Sequence, residues 1–597
     1  MFRDINIRRF RPAGQSAVGV SAAERHPAET RDFEVSGAPV VALLDGLPLV
    51  NHQLLGQSII LDDPDDFTAD YQAGEQRHGT AMASLILHGD LQAPGSPLHR
   101  PIYARPILKP NANTREFGSD KEQEHIPPDL FPEDLVWRAV RRMKDHDGDT
   151  PAQAPDVVLI NLSVADNQRQ FTRELSPWAK LLDWLAFEYR VLFLISAGNK
   201  TQALDLGLHE DKFGTKTDDE KSKLTRQALH NTQRHRRLSP PAESINNLTI
   251  GALHDDAASD YHKGHRHDIQ PHRILPSPIS AQGPGYRRSI KPDLLMPGGR
   301  QLYDFRYNST EYVLSRSLYA PGQRVATTAS PSNPGSINNT TCTRGTSNAT
   351  ALATRGGAQL LAMLDELLAT NDMPNGINKS NRAALLKTLL AHSAAQGQAA
   401  DQLELQLKTP ENSRRIRRVV AQHLGYGSAD IERVLRCAES RATAIAADTL
   451  KADQIHEYRF PLPPSLRGKR IKRRLTLTLG WISPINPGHR NFRRAKLEFS
   501  VPPETGGLKV KRSNYDHNQA KKGTVQHEIL EGEKILDFEE GDSIVTRIHC
   551  KADAGALEHA VPYGLAVTLE IAEENRLPIY DEIKTRIRLT PPIPAPR

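Results

Sequence analysis

The 597-residue sequence predicts an α/β fold with a mostly parallel sheet and helices on both faces, followed by a C-terminal all-β, sandwich-like domain. Three observations carry this expectation. Short apolar runs at 39–44, 156–163, 192–195 and 248–253 have the length and composition of strands buried on both faces. Amphipathic helical patterns lie between them, as at 132–143, where Leu135, Val136, Ala139 and Val140 share one face. From about residue 451 the pattern turns to alternation, as in Arg474-Leu475-Thr476-Leu477-Thr478-Leu479-Gly480-Trp481, and again at 496–501 and 564–571.

Taken in order, residues 1–36 are polar and mixed and read as an N-terminal extension. Residues 37–450 make the α/β domain. Its first strand ends on Asp45, the strand end at which open α/β sheets place their sites. His78 opens a helix that His88 closes. Ser176-Pro177 is a capping serine with proline at the first helical position, starting a helix to about 189. Residues 201–241 are polar and charged, a surface insertion with a short helix near 219–230. Helices at 381–394 and 429–443 close the domain. Residues 451–588 form the sandwich, and 589–597 are a Pro-rich tail.

The chemistry gathers around Thr343-Arg344-Gly345-Thr346-Ser347-Asn348-Ala349-Thr350-Ala351. A serine follows a glycine turn and begins a run that can be helical, so Ser347 stands where free N–H groups and the dipole favour negative charge. Attack on a carbonyl creates such charge. Alone, Gly-Thr-Ser is more often an ordinary helix start. Three further blocks change that balance: Val40-Val41-Ala42-Leu43-Leu44-Asp45-Gly46, Arg77-His78-Gly79-Thr80-Ala81-Met82-Ala83-Ser84, and Leu192-Phe193-Leu194-Ile195-Ser196-Ala197-Gly198-Asn199.

The order Asp, His, Asn, Ser, each in its own glycine context, resembles the subtilisin-like serine peptidases (subtilases, peptidase family S8), over about residues 39–446. Pro278-Ile279-Ser280, Gly283-Pro284-Gly285 and Lys291-Pro292-Asp293-Leu294 with Pro297-Gly298-Gly299 resemble the run that precedes the family's serine. The resemblance implies a serine endopeptidase with Asp45, His78 and Ser347 as triad and Asn199 as oxyanion donor. It implies Ser163, Val164, Ala165 and Asp166 as a substrate-pairing segment, with Asp166 a candidate for selecting Lys or Arg before the cleaved bond. Capping of its own turn by Asp166 is the competing and more ordinary reading. Three departures stand out. Asp45 is followed by Gly46 where the family has Ser or Thr. Ala81 replaces a second histidine. Asn348-Ala349-Thr350-Ala351 replaces Met-Ala-x-Pro.

Composition bounds the rest. Three cysteines, Cys342, Cys437 and Cys550, give no disulfide framework and suit a reducing, cytoplasmic setting. No secretory leader is evident at the start, and 38 residues before Pro39 are short for an inhibitory pro-domain. No run of 18 apolar residues occurs, so no membrane partner is expected. A net charge of +6 is mild over this length; nucleic acid is not expected, and the basic run 467–474 reads first as a charged strand edge. Asp62-Asp63-Pro64-Asp65-Asp66 is a candidate Ca²⁺ loop, though it lacks regular ligand spacing and reads first as a solvated acidic turn. No other cofactor is implied. The expected partner is a protein or peptide substrate. Two alternatives stay open: a catalytically silent scaffold, or a protease subunit of a bacterial system with an ATPase or nucleic-acid partner. The chain has no phosphate-binding loop of its own.

Overall fold

The computed structural model describes residues 26–27, 34–72, 74–115, 122–166, 168–308, 311–329, 333, 335–369, 377–500, 511–512, 517–535, 538–539 and 541–589. Most of the extension at 1–36 and nearly all of the Pro-rich tail fall outside them. The chain forms two compact units. One takes the residues before 186 together with 193–358 and 396–428; the other takes 186–192, 359–395 and 429 onward.

The first unit is built on a mostly parallel sheet. Its longer strands are β1 (Val41–Asp45), β2 (Ile59–Leu61), β3 (Ile102–Pro106), β4 (Leu159–Leu162), β5 (Leu192–Ser196), β6 (Leu248–Leu253) and β7 (Leu294–Pro297), in the spatial order β7-β6-β5-β4-β1-β3-β2. Every residue of β1, β3, β4, β5 and β6 is buried, which explains why these strands read as continuous apolar runs rather than alternations. The register is fixed from both sides of β1: Leu43 lies opposite Ala104 on β3 and Asn161 on β4, all parallel. Helix α1 (His78–His88) is buried along nearly its whole length. Helix α2 (Pro132–Lys144) buries Leu135, Val136, Ala139, Val140 and Met143, the face its sequence pattern indicates. Helix α3 (Thr346–Ala369) is the long helix that Ser347 begins.

Two local features differ from a plain surface reading. The 201–241 insertion carries a helix at Asp218–Asn231 with a full capping box between Thr217 and Glu220. It also has a core of its own: Leu204, Phe213 and Leu229 pack with Ile269, Tyr303 and Leu314. The acidic run is charge-matched. Asp62 accepts from Arg142 Nε at 2.8 Å and lies against Tyr103 and Arg105, while Asp65 takes Arg105 and Arg138 at 2.5 Å each. Asp63 is spent on the backbone N–H groups of Phe67 and Thr68. Among the described residues, no group of three or more His, Cys, Asp or Glu is arranged to hold a metal ion.

The second unit is a sandwich. A five-stranded sheet orders β8 (Arg441–Leu450), β15 (Val561–Ile571), β10 (Arg473–Trp481), β13 (Val525–Gly532) and β12 (Lys511–Arg512). A three-stranded sheet orders β9 (Ile455–Pro461), β14 (Ser543–Ala552) and β11 (Ala495–Ser500). Leu475, Leu477, Leu479 and Trp481 from one sheet meet Phe460, Leu497, Phe499, Ile544 and Ile548 from the other. The alternation at 474–481 is therefore the pleat of a strand with two different buried faces. The segment 429–443, expected as a helix, has only a short helical turn at Glu432–Leu435, after which Arg441–Leu450 pairs with β15 over ten residues. The alanine-rich composition favours helix, but a ladder of this length overrides propensity.

Helix α4 (Arg382–His392) covers the outer face of the five-stranded sheet. This face is polar but satisfied. His392 Nδ1 pairs with Thr478 Oγ1 and Nε2 with Thr568 Oγ1, both at 2.7 Å, and His527 Nε2 donates to the Ala394 carbonyl at 3.0 Å. Burial pulls His527 down to about 3, and burial likewise takes His392 well below the ordinary imidazole value. Both rings are thus neutral when folded, and the unfolded chain binds more protons below pH 6.5. Stability that is complete above pH 6.5 is lost as pH falls below it, by roughly 1.4 kcal/mol per ring per pH unit. The unfolding transition of this unit, followed by Trp481 fluorescence, is expected to move several degrees lower between pH 7.5 and 5.5. A midpoint that stays level over that range would contradict neutral burial of the pair.

Candidate active site

The site forms where adjacent strands end. Asp45 is the last residue of β1, Ser163 follows β4, and Asn199 lies three residues past the end of β5. Because Leu43 is level with Asn161, Asp45 and Ser163 stand at matching positions on neighbouring strands, about 5 Å apart. Two helix starts then sit on this edge, each bringing one side chain.

The first is α1. His78 Nδ1 is 2.5 Å from Asp45 Oδ1, and the same oxygen accepts the Gly46 N–H at 2.7 Å. Asp45 is fully buried, and among the described residues nothing donates to its Oδ2. Helix α1 approaches β1 closely because residue 79 has no side chain. A Cβ on Gly79 would lie 2.0 Å from the Gly46 carbonyl oxygen. Burial works against a charge on His78, but the Asp45 carboxylate, its hydrogen bond and Glu124 outweigh it and raise the imidazole above its ordinary value.

The second is α3. Ser347 lies in its first turn, 6% exposed, with its Oγ donating to the Ser163 carbonyl at 3.2 Å. Ser163 returns a bond from its own Oγ to the Ser347 carbonyl at 3.3 Å and another to Asn161 Oδ1 at 3.0 Å. Asn199 Oδ1 accepts from the Thr346 N–H at 2.8 Å and the Thr346 hydroxyl at 3.1 Å. Two donors on one oxygen fix which end of the amide is which, so Nδ2 is left as the donor. The two helices are tied together: Arg355 on α3 donates to the carbonyls of Ile86 at 3.3 Å and Leu87 at 2.5 Å at the far end of α1, and to Ser96.

The substrate-pairing candidates divide. Ser163 is tied to Ser347, whereas Val164 and Ala165 are buried. Asp166 accepts the N–H groups of Gln168 and Arg169 at 3.0 and 3.2 Å, which is the turn-capping geometry, and is only 5% exposed. Its N–H donates to the Pro240 carbonyl, beside Ser239. Two residues that no motif marked also lie here. Lys200, directly after Asn199, donates to Ser239 Oγ at 2.7 Å, and burial brings its ammonium down to about 8 against the pull of Asp166. Glu124 accepts the His78 N–H at 2.9 Å. Neither belongs to a local sequence pattern; Lys200 differs from an ordinary loop lysine only in being buried.

The sequence model of the Subtilase family matches residues 37–427. The uncharacterized protein y4bN of Sinorhizobium fredii (strain NBRC 101917 / NGR234) is 23% identical over 454 residues, 72% of this chain and 95% of that protein. Among solved structures, the patellamide maturation protease PatA aligns with 17% identity and a TM-score of 0.35, covering 68% of this chain and 97% of its own. A protease from Pseudoalteromonas arctica PAMC 21717 aligns with 12% identity and a TM-score of 0.36, covering 66% and 89%.

The close approach of α1 to β1 can be tested apart from any activity. Gly79→Ala is expected to cost about 2–3 kcal/mol by overpacking against rigid backbone, read as a lowered thermal midpoint. A midpoint within one degree of wild type would show that the helix start has room to spare.

Proposed function

The chain belongs to the subtilase family, a family of serine peptidases, and from that premise we propose that it is a cytoplasmic endopeptidase working through Asp45, His78 and Ser347. The observation that carries the reading is the 2.5 Å contact between His78 Nδ1 and the buried Asp45 carboxylate. It commits the Nδ1 proton to Asp45 and leaves Nε2 as the base.

In the proposed mechanism Ser347 Oγ leaves the Ser163 carbonyl by rotation about its side chain and attacks the peptide carbonyl. Its proton passes to His78 Nε2, and Asp45 stabilises the imidazolium. The oxygen of the tetrahedral intermediate takes the Asn199 Nδ2–H and the Ser347 N–H at the start of α3. His78 then gives the proton to the departing amine. Water repeats the sequence on the acyl-enzyme, with His78 again as base. The cytoplasmic setting rests on Cys342, Cys437 and Cys550, all of which are free thiols. Among the described residues no helix is long and apolar enough to cross a membrane.

Hydrolysis of fluorescently labelled casein tests the reading. Ser347→Ala is expected to lower the rate by at least about 10⁴-fold with an unchanged thermal midpoint, because nucleophile and base act as a unit. Asn199→Ala is expected to lower kcat by about 10²–10³ with KM little changed, a range carried over from a subtilisin's own oxyanion donor rather than from this geometry. Wild-type turnover in Ser347→Ala, or an Asn199→Ala effect confined to KM, would contradict these roles.

A further inference from the structure

Gly46 and Glu124 are far apart in sequence and interlocked in space. Glu124 lies on the Glu122–His125 strand of a hairpin with Lys109–Arg115. A Cβ built on Gly46 would meet Glu124 Oε1 at 1.9 Å, so the carboxyl group fills the volume that any side chain at position 46 would need. Its Oε2 accepts the His78 N–H at 2.9 Å, and its Oε1 is 2.9 Å from the Tyr71 hydroxyl, which also reaches the Leu108 carbonyl and accepts the Leu47 N–H. The group is buried, 7% exposed.

We propose that Glu124 is a second positioning carboxylate for His78, held in the space vacated at Gly46, anchoring the start of α1 and acting on the imidazole through its charge. This rests on the reading of His78 as the base. The charged and titratable groups around the pair are few. Asp45 faces it from β1, Arg77 and His78 from the start of α1, and Tyr71 from the preceding segment. Lys109 and His125 flank it on its own hairpin, Lys109 pairing with Asp70 at 3.1 Å and His125 with the Lys109 carbonyl at 3.1 Å. Two carboxylates against the Arg77 guanidinium favour the imidazolium that forms during catalysis. A simple cap would serve as well with a neutral acceptor; a charged one is costly to bury unless its charge is used. Burial lifts Glu124 to about 7, with His78 drawing it back, and the Asp45 and Glu124 carboxylates raise the imidazole in turn.

The test is Glu124→Gln, which keeps the size and an acceptor for the His78 N–H but removes the charge. The pH profile of casein hydrolysis and the ¹³C-histidine resonance of His78, assigned with His78→Gln, are followed together in the full-length chain. The expected result is a shift of both midpoints to lower pH by about 0.5–1 unit. Unmoved midpoints in a folded Glu124→Gln would overturn the proposal and leave a structural cap. Should Glu124→Gln fail to fold, Glu124→Asp, which withdraws the charge by one methylene, is expected to shift the His78 resonance the same way by less, and an unmoved resonance would overturn it. An inactive wild type would instead sink the peptidase reading, while the His78 titration would still decide this one.

Discussion

A fully buried carboxylate is tolerable only if it is strongly engaged, and the Asp45–His78 bond meets that need. Much of the first unit follows from holding these two groups together. Asp45 must end a strand in the middle of the sheet, and its neighbours on both sides fix the register. His78 must begin a helix that lies almost on that strand, which residue 79 permits only as glycine. Ser347 must lie in the first turn of another helix on the next strand end, and Arg355 part-way along that helix ties it to the far end of α1. A sheet with its strands in this order can therefore present His78 and Ser347 on one edge, each at a helix start rather than in a loop.

The residues of the candidate site were legible in the sequence for a specific reason. Asp45, His78, Asn199 and Ser347 each lie at or within three residues of the end of a regular element, with a glycine one or two residues away. The helix at 132–144 is readable because its burial follows one helical period, and the strand at 248–253 because it is a short apolar run buried on both faces. The departures were legible too, but not their meaning. Gly46 marks a missing hydroxyl in the sequence; only the structure reveals that Glu124, 78 positions away on a hairpin, has taken the space. Asp166 offers two readings in sequence, a pocket acid and the more ordinary cap of its own turn, and its bonds to the Gln168 and Arg169 N–H groups are those of the cap.

Other misreadings share one cause, the override of local composition by pairing at a distance. Residues 429–443 read as a helix, but only Glu432–Leu435 is helical and the last three residues begin the strand that pairs with β15. The helix at 382–392, taken as the close of the first domain, covers the sandwich sheet through Thr388, His392 and Lys387, residues that look like a helix's polar face. The insertion at 201–241 is charged in sequence and yet buries Arg226 against Gln270. In each case a backbone or side-chain polar group is met by a partner far along the chain, which composition cannot disclose.

The central claim is that His78 activates Ser347 at this edge, and covalent capture tests it most directly. A fluorophosphonate should add once per chain, and peptide mapping by mass spectrometry should place the adduct on Ser347, with the adduct lost in His78→Ala while the protein remains folded. Labelling at another residue, or undiminished labelling of Ser347 in His78→Ala, would contradict the account.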